Sequence, residues 1–242
     1  MFPCYAYKLA NGRLRQRYLD NHNVIPNYRD LDSAYEDIAD PFYPRFWSER
    51  LKEPYRIKKP IGLFLDDMSD WMGDYWPREW TEAELQMMRD NPQHRIYTLT
   101  KQPNLIKFSP FPENCWVGVT ATNPHAFWQG VITFQQITAQ IKFISFEPLL
   151  KLIPIQIPYD LEMVDWVIIG AQTKPLKLPQ KAWIDEIVDA CRKVGIPYFL
   201  KDNLRPLLGN DLIQDMPFNN EEQELAEMGL EDYLEGIEKD ER

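Results

Sequence analysis

Along the 242-residue chain, acids, lysines and hydroxyls recur in small groups: Asp66, Asp67, Ser69 and Asp70, then Thr100 and Lys101, Thr120 and Thr122, Glu147, Gln172, and finally Lys201 and Asp202. Each group follows a short apolar run. Gathered in one place, they offer acid/base chemistry. A lysine beside another cation, or in an apolar pocket, loses its proton near neutrality, which makes Lys101, Glu147 and Lys201 a candidate catalytic set. The plainer alternative is that Glu147, directly before Pro148, and Lys201 merely pair with each other. The remaining residues are candidate site residues by position.

Position depends on the apolar runs. GLFLDDMSD, IYTLTKQ, WVGVTATN, FISFEPL, WVIIGAQT and YFLKDN begin near Ile61, Ile96, Trp116, Ile141, Trp166 and Ile196. A separation of roughly twenty to thirty-five residues is room for one strand plus one helix. The rhythm predicts a βα array, an α/β fold with a mainly parallel sheet. Strands buried on both faces read as continuous Val, Ile, Leu and Phe, as these do. Ligands of barrels and open α/β sheets bind at the carboxyl ends of strands, so the polar groups are expected to converge on one mouth.

Helices are expected between the runs. One covers 76–90, where acids lead and Trp80, Leu85 and Met88 share a side. HAFWQGVITFQQIT gives a second. KAWIDEIVDACRKVG gives a third, with Trp183, Ile187, Val188 and Cys191 as its buried stripe and Gly195 as its stop. Residues 4–20 read as a helix carrying Ala6, Ala10 and Leu14, and DLDSAYEDIAD is locally helical within an aromatic-rich connection over 21–59. The chain thus divides into an N-terminal part (1–59), a βα barrel core (60–204) and a tail (205–242).

Composition narrows the function classes. At 44% hydrophobic the chain can bury the core of one sizeable domain. No apolar run reaches the roughly 18 residues of a membrane span, and the N-terminus lacks a signal peptide's apolar core. Cys4, Cys115 and Cys191 are odd in number and far apart, which suits a reducing, cytoplasmic setting. The histidines have no zinc spacing. Of the net charge of -10, the stretch from Asp215 to Arg242 carries eleven acids against Lys239 and Arg242, so the tail is expected to stay solvated or form a surface helix. Residues 1–60 hold eleven Lys/Arg against eight Asp/Glu among many aromatics, a pattern that could engage nucleic acid through phosphate charge and base stacking.

The segments FPCYAYKLANGR, FLDDMSDWMGDYWP, YTLTKQP, VGVTATN, FISFEPLL, DWVIIGAQT and GIPYFLKDN follow one another in a telling order. That order resembles an uncharacterised family of phage and bacterial proteins, the phage gp-thirty-seven/sixty-eight type, related to radical S-adenosylmethionine (SAM) enzymes. The resemblance covers residues 4 to 204. It implies a radical-SAM-like partial TIM barrel in which three cysteines, spaced C-x3-C-x2-C, hold a [4Fe-4S] cluster whose open iron SAM chelates. Thiolates suit such clusters. Cys4, followed by Tyr5 and Ala6, matches the family's last cysteine and is the candidate metal ligand. The position three residues earlier is Met1, so the resemblance implies either further cysteines and a first strand upstream, or a member without a cluster. A missing first strand would leave an open sheet edge beside the strand at 61–66.

With SAM bound, the resemblance puts Asp67, Ser69 and Asp70 at its amino group and Thr100 and Lys101 at its carboxylate. Thr120, Thr122, Glu147 and Gln172 fall to its ribose or to a substrate of unspecified class. Two other readings stay open: a cluster-free barrel enzyme using Lys101, Glu147 and Lys201, and a non-enzymatic module, nucleic-acid associated, built on the basic and aromatic residues before Lys59.

Overall fold

The computed structural model describes residues 4–24, 38–73, 76–106, 109–156, 159–210 and 212–217. Its strands are β1 (Gly62–Phe64), β2 (Arg95–Thr100), β3 (Cys115–Thr120), β4 (Ile141–Phe146), β5 (Trp166–Ile169), β6 (Gln172–Thr173), β7 (Leu176–Lys177) and β8 (Tyr198–Leu200). The pair β6–β7 is a small antiparallel hairpin, and the other six form one curled sheet, a half-barrel, in the order β1-β2-β3-β4-β5-β8. Every pairing in that sheet is parallel. The six runs therefore end at the same edge, and the polar groups that follow them lie along it.

Alternation along the strands sorts side chains onto two faces. Ile96, Val117, Val119, Ile144, Phe146, Val167, Ile169 and Leu200 point outward and form the main core with α3 (Arg78–Asp90), α4 (Pro124–Gln136) and α5 (Lys181–Val194). These three helices lie where their patterns predict them, and α5 stops at Gly195 with φ 77. The inner face carries an aromatic cluster of Trp116, Phe143 and Trp166 with Tyr97 and Phe199. Gly118 makes it possible, because a Cβ there would lie 2.2 Å from the Phe143 ring.

Burial on both faces holds only at the centre of the sheet. All of β3 is buried, whereas in β2 only Ile96, Thr98 and Thr100 are, and Phe64 of β1 is 52% exposed. A half-barrel curls too little to cover the inner side of its edge strands.

The predicted N-terminal helix is two: α1 (Tyr5–Ala10) and α2 (Arg15–Asp20). The turn between them contains Gly12, a poor helix former. Residues 38–57 pack against α3. Phe46 stacks on Trp80 at 5.1 Å, Tyr55 donates to Asp90, and the Arg45 guanidinium donates to the carbonyls of Asn21, Ile38 and Asp40. Most of DLDSAYEDIAD lies outside the described residues, as does the tail from 218 onward. After α6 (Arg205–Leu208), the tail's first residues join the sheet, with Phe199 and Gln214 bridged antiparallel on the free side of β8. No helix among the described residues is long and apolar enough to cross a membrane.

Candidate functional site at the carboxyl ends of the strands

A cleft of ≈ 770 Å³ opens between the N-terminal segment and the ends of β1 and β2. That is within the range of small-molecule sites, about 300–1,000 Å³. One wall carries Asp66, Asp67, Ser69, Asp70, Glu84 and Lys101; the other carries Cys4, Tyr5, Tyr18, Trp47 and the arginines Arg17 and Arg50. The walls touch where the Tyr5 hydroxyl donates to the Asp67 carbonyl. Burial and the nearby Asp67 charge push the Tyr5 phenol up to about 12, so it remains a donor. The same two causes, in the same order, raise Tyr18.

The loop after β1 is built by its own acids. Asp70 Oδ1 accepts the Lys101 backbone N–H at 2.9 Å, and Asp70 Oδ2 accepts from the Gln102 side chain at 3.1 Å. Asp70 thus ties the loop to the end of β2. Thr100 faces the helices, fully buried, and its hydroxyl accepts the Gln102 N–H at 3.0 Å. Of the five residues expected at the ammonium and carboxylate of SAM, Asp67, Ser69 and Lys101 remain exposed in the cleft.

Strand register puts the other candidates on the inner face. Thr120 pairs with Ser145 across β3 and β4, and its hydroxyl is buried without a hydrogen-bond partner among the described residues. Glu147 follows β4 in the same alternation, and Lys201 follows β8. Lys201 Nζ meets Glu147 Oε2 at 2.8 Å, and Asn203 Nδ2 donates to Glu147 Oε1 at 3.1 Å. Gly170 makes room for that carboxylate, since a Cβ there would lie 2.9 Å from Glu147 Oε1. Lys101 is not in this group: β3, β4 and β5 stand between its strand and that of Lys201. Gln172 is spent in the hairpin, donating to the Pro175 carbonyl at 2.9 Å. Thr122 accepts from Asn123 at 3.4 Å, and Asp202 pairs with Arg205 at 2.7 Å.

The family model described as "Protein of unknown function (DUF5131)" matches residues 3–205, a span containing all eight described strands and both walls of the cleft. The chain belongs to the DUF5131 family. Searches of curated proteins and of solved structures return no match. What the DUF5131 site can do is therefore read from its own side chains.

Cys4 is exposed and lines the cleft, while Cys115 and Cys191 are buried in the core, where burial pushes both thiols up to about 12. The described residues bring one thiol to the cleft, and no group of three or more His, Cys, Asp or Glu among them is arranged to hold a metal ion. A cluster needing three thiolates is not built from these residues. Sequence reasoning overlooked two polar residues of the site. Asn203 orients Glu147 and is itself held by the Ala171 backbone. Glu84 falls between Trp80 and Met88 on the apolar stripe of α3, and an acid on a buried stripe is the signal that could have found it.

Proposed function

We propose that the DUF5131 cleft binds S-adenosylmethionine, in keeping with the radical-SAM likeness of the chain, and that the carboxyl mouth of the half-barrel is its active site. One observation carries the reading: the exposed Asp67, whose carbonyl accepts from the Tyr5 hydroxyl, lines a cleft of ≈ 770 Å³ together with Tyr5, Tyr18 and Lys101. The ammonium and sulfonium of SAM are favoured by carboxylates and aromatic faces. Its carboxylate calls for a cation, which Lys101 or Arg17 supplies. Cys4, at the same cleft, is one cysteine of the three that the resemblance implies for a [4Fe-4S] cluster, so the reading stands on the SAM site alone. Equilibrium dialysis with labelled SAM tests it. Saturable binding is expected, weakened roughly tenfold by Asp67→Asn, the worth of about 1.4 kcal/mol. Absence of binding, or an unchanged affinity in the variant, would refute the reading.

The clamped Glu147 supports a second reading, acid/base chemistry between Glu147 and Lys201 on a substrate lying along the inner face. On this reading Lys201→Met abolishes turnover that is independent of any cluster. Unchanged turnover counts against it.

A further inference from the structure

The cleft contains a pair of groups that SAM recognition by Asp67 and Lys101 leaves unused. Asp66 leaves β1 with φ 57, in the left-handed region that Asp enters more readily than most non-glycine residues. There it meets Glu84 of α3, and the two carboxyls share a hydrogen bond. The Trp71 indole fixes Glu84 from another side, its Nε1 donating to Oε2 at 3.1 Å. Asp66 Oδ2 is shut off from solvent and has no hydrogen-bond partner among the described residues, yet both residues line the cleft.

The charged surroundings are mixed. Asp67 and Asp70 face Asp66 from its own loop, Glu84 faces it from α3, and the Cys115 thiol at the head of β3 stands near Glu84. Lys101 follows β2, and Arg17, Arg45, Arg50 and Glu53 line the cleft from the N-terminal segment. Burial first, and then the neighbouring negative charge, push Asp66 up to about 7 and Glu84 well above the usual carboxylate range. A buried, unpaired carboxyl oxygen has an acceptor to offer. Two carboxyls in contact resist ionising together, and a cation placed against them favours the doubly ionised pair.

We propose that Asp66 and Glu84 form a proton-for-cation exchange site, at which the ammonium or sulfonium of a ligand replaces a proton held by the pair. The balance is simple: a cation and a pair carrying one proton and one negative charge give a cation bound to two carboxylates, with one proton released to water. The identity of the cation rests on the SAM reading. The exchange deepens that reading by making affinity depend on pH.

Two measurements test the exchange separately from SAM recognition. Infrared titration of the ligand-free protein is expected to show a protonated carboxyl surviving at about pH 7 and diminished in Glu84→Gln. Its absence from the wild type overturns the pair as a proton store. Calorimetric titration with SAM, in buffers of different ionisation enthalpy, is expected to show about one proton released per SAM near pH 7 and an affinity rising up to about tenfold per pH unit below it. Glu84→Gln, whose amide donates the same hydrogen bond and accepts the same indole N–H, should release about half as much or less. Asp66→Asn is the second variant, expected to lose both the proton release and about tenfold in affinity. SAM binding without proton release overturns the exchange and leaves SAM recognition standing, whereas no binding at any pH overturns both.

Discussion

Asp70 and Thr100 show how one kind of residue serves two ends at this site. Both are expected to face a ligand, and in the structure both hold the loop that shapes the cleft, through Lys101 N–H and Gln102. The distinction was available in part from alternation: Thr100 is the last residue of β2 and shares the outward parity of Ile96 and Thr98, while Lys101 has the opposite one. Asp70 could not be sorted this way, because its partners lie across a loop. Asp66 carries a prediction at this scale. Its carboxyl is raised from 3.8 to about 7 in the folded chain, so between those values the native state holds a proton that the unfolded state has released. Stability contributed by the group is therefore full below about pH 4 and lost as pH rises toward about 7. The thermal midpoint should fall more steeply over this window in the wild type than in Asp66→Asn. Equal slopes would contradict the burial of this carboxyl.

The strands were legible because parallel strands under helices read as continuous apolar runs, and the six runs became the six strands of one sheet. The helices α3, α4 and α5 were legible from their stripes for the same reason, that local pattern and global packing agree there. What escaped was the far wall of the cleft. Its aromatics read as a candidate nucleic-acid surface; in the structure Phe46 stacks on Trp80 and Tyr18 meets Trp47 at 5.3 Å. Such contacts join residues far apart in sequence, and no local pattern announces them. Two predictions follow from these elements. Gly118→Ala should destabilise the protein by about 1–3 kcal/mol in denaturant unfolding, because its methyl meets the Phe143 ring and the core must shift. Phe46→Ala should loosen the N-terminal segment from α3, seen as faster proteolysis within 38–57 and weaker SAM binding, while unfolding of the half-barrel core stays within about 1 kcal/mol of the wild type. Protection equal to that of the wild type would show that Arg45 and Tyr55 suffice to hold the segment.

As a whole, the described residues form a half-barrel whose amino-terminal segment closes one side of the mouth and which leaves Phe64 of the edge strand β1 exposed. The DUF5131 match ends at residue 205, so the acidic segment after the sheet lies beyond the family region. Within that region the polar residues fall into two groups along one edge, the acids and aromatics around β1 and β2 and the Glu147–Lys201–Asn203 clamp at β4 and β8. Thr120 and Ser145, both buried, lie between the two groups on the inner face. The most direct measurement is a crystal structure of the chain with SAM. SAM is expected in the cleft, its cationic end within hydrogen-bonding reach of Asp67 or Asp66 and its carboxylate toward Lys101 or Arg17; SAM bound elsewhere, or a cleft without SAM at saturating concentration, would refute a SAM site there.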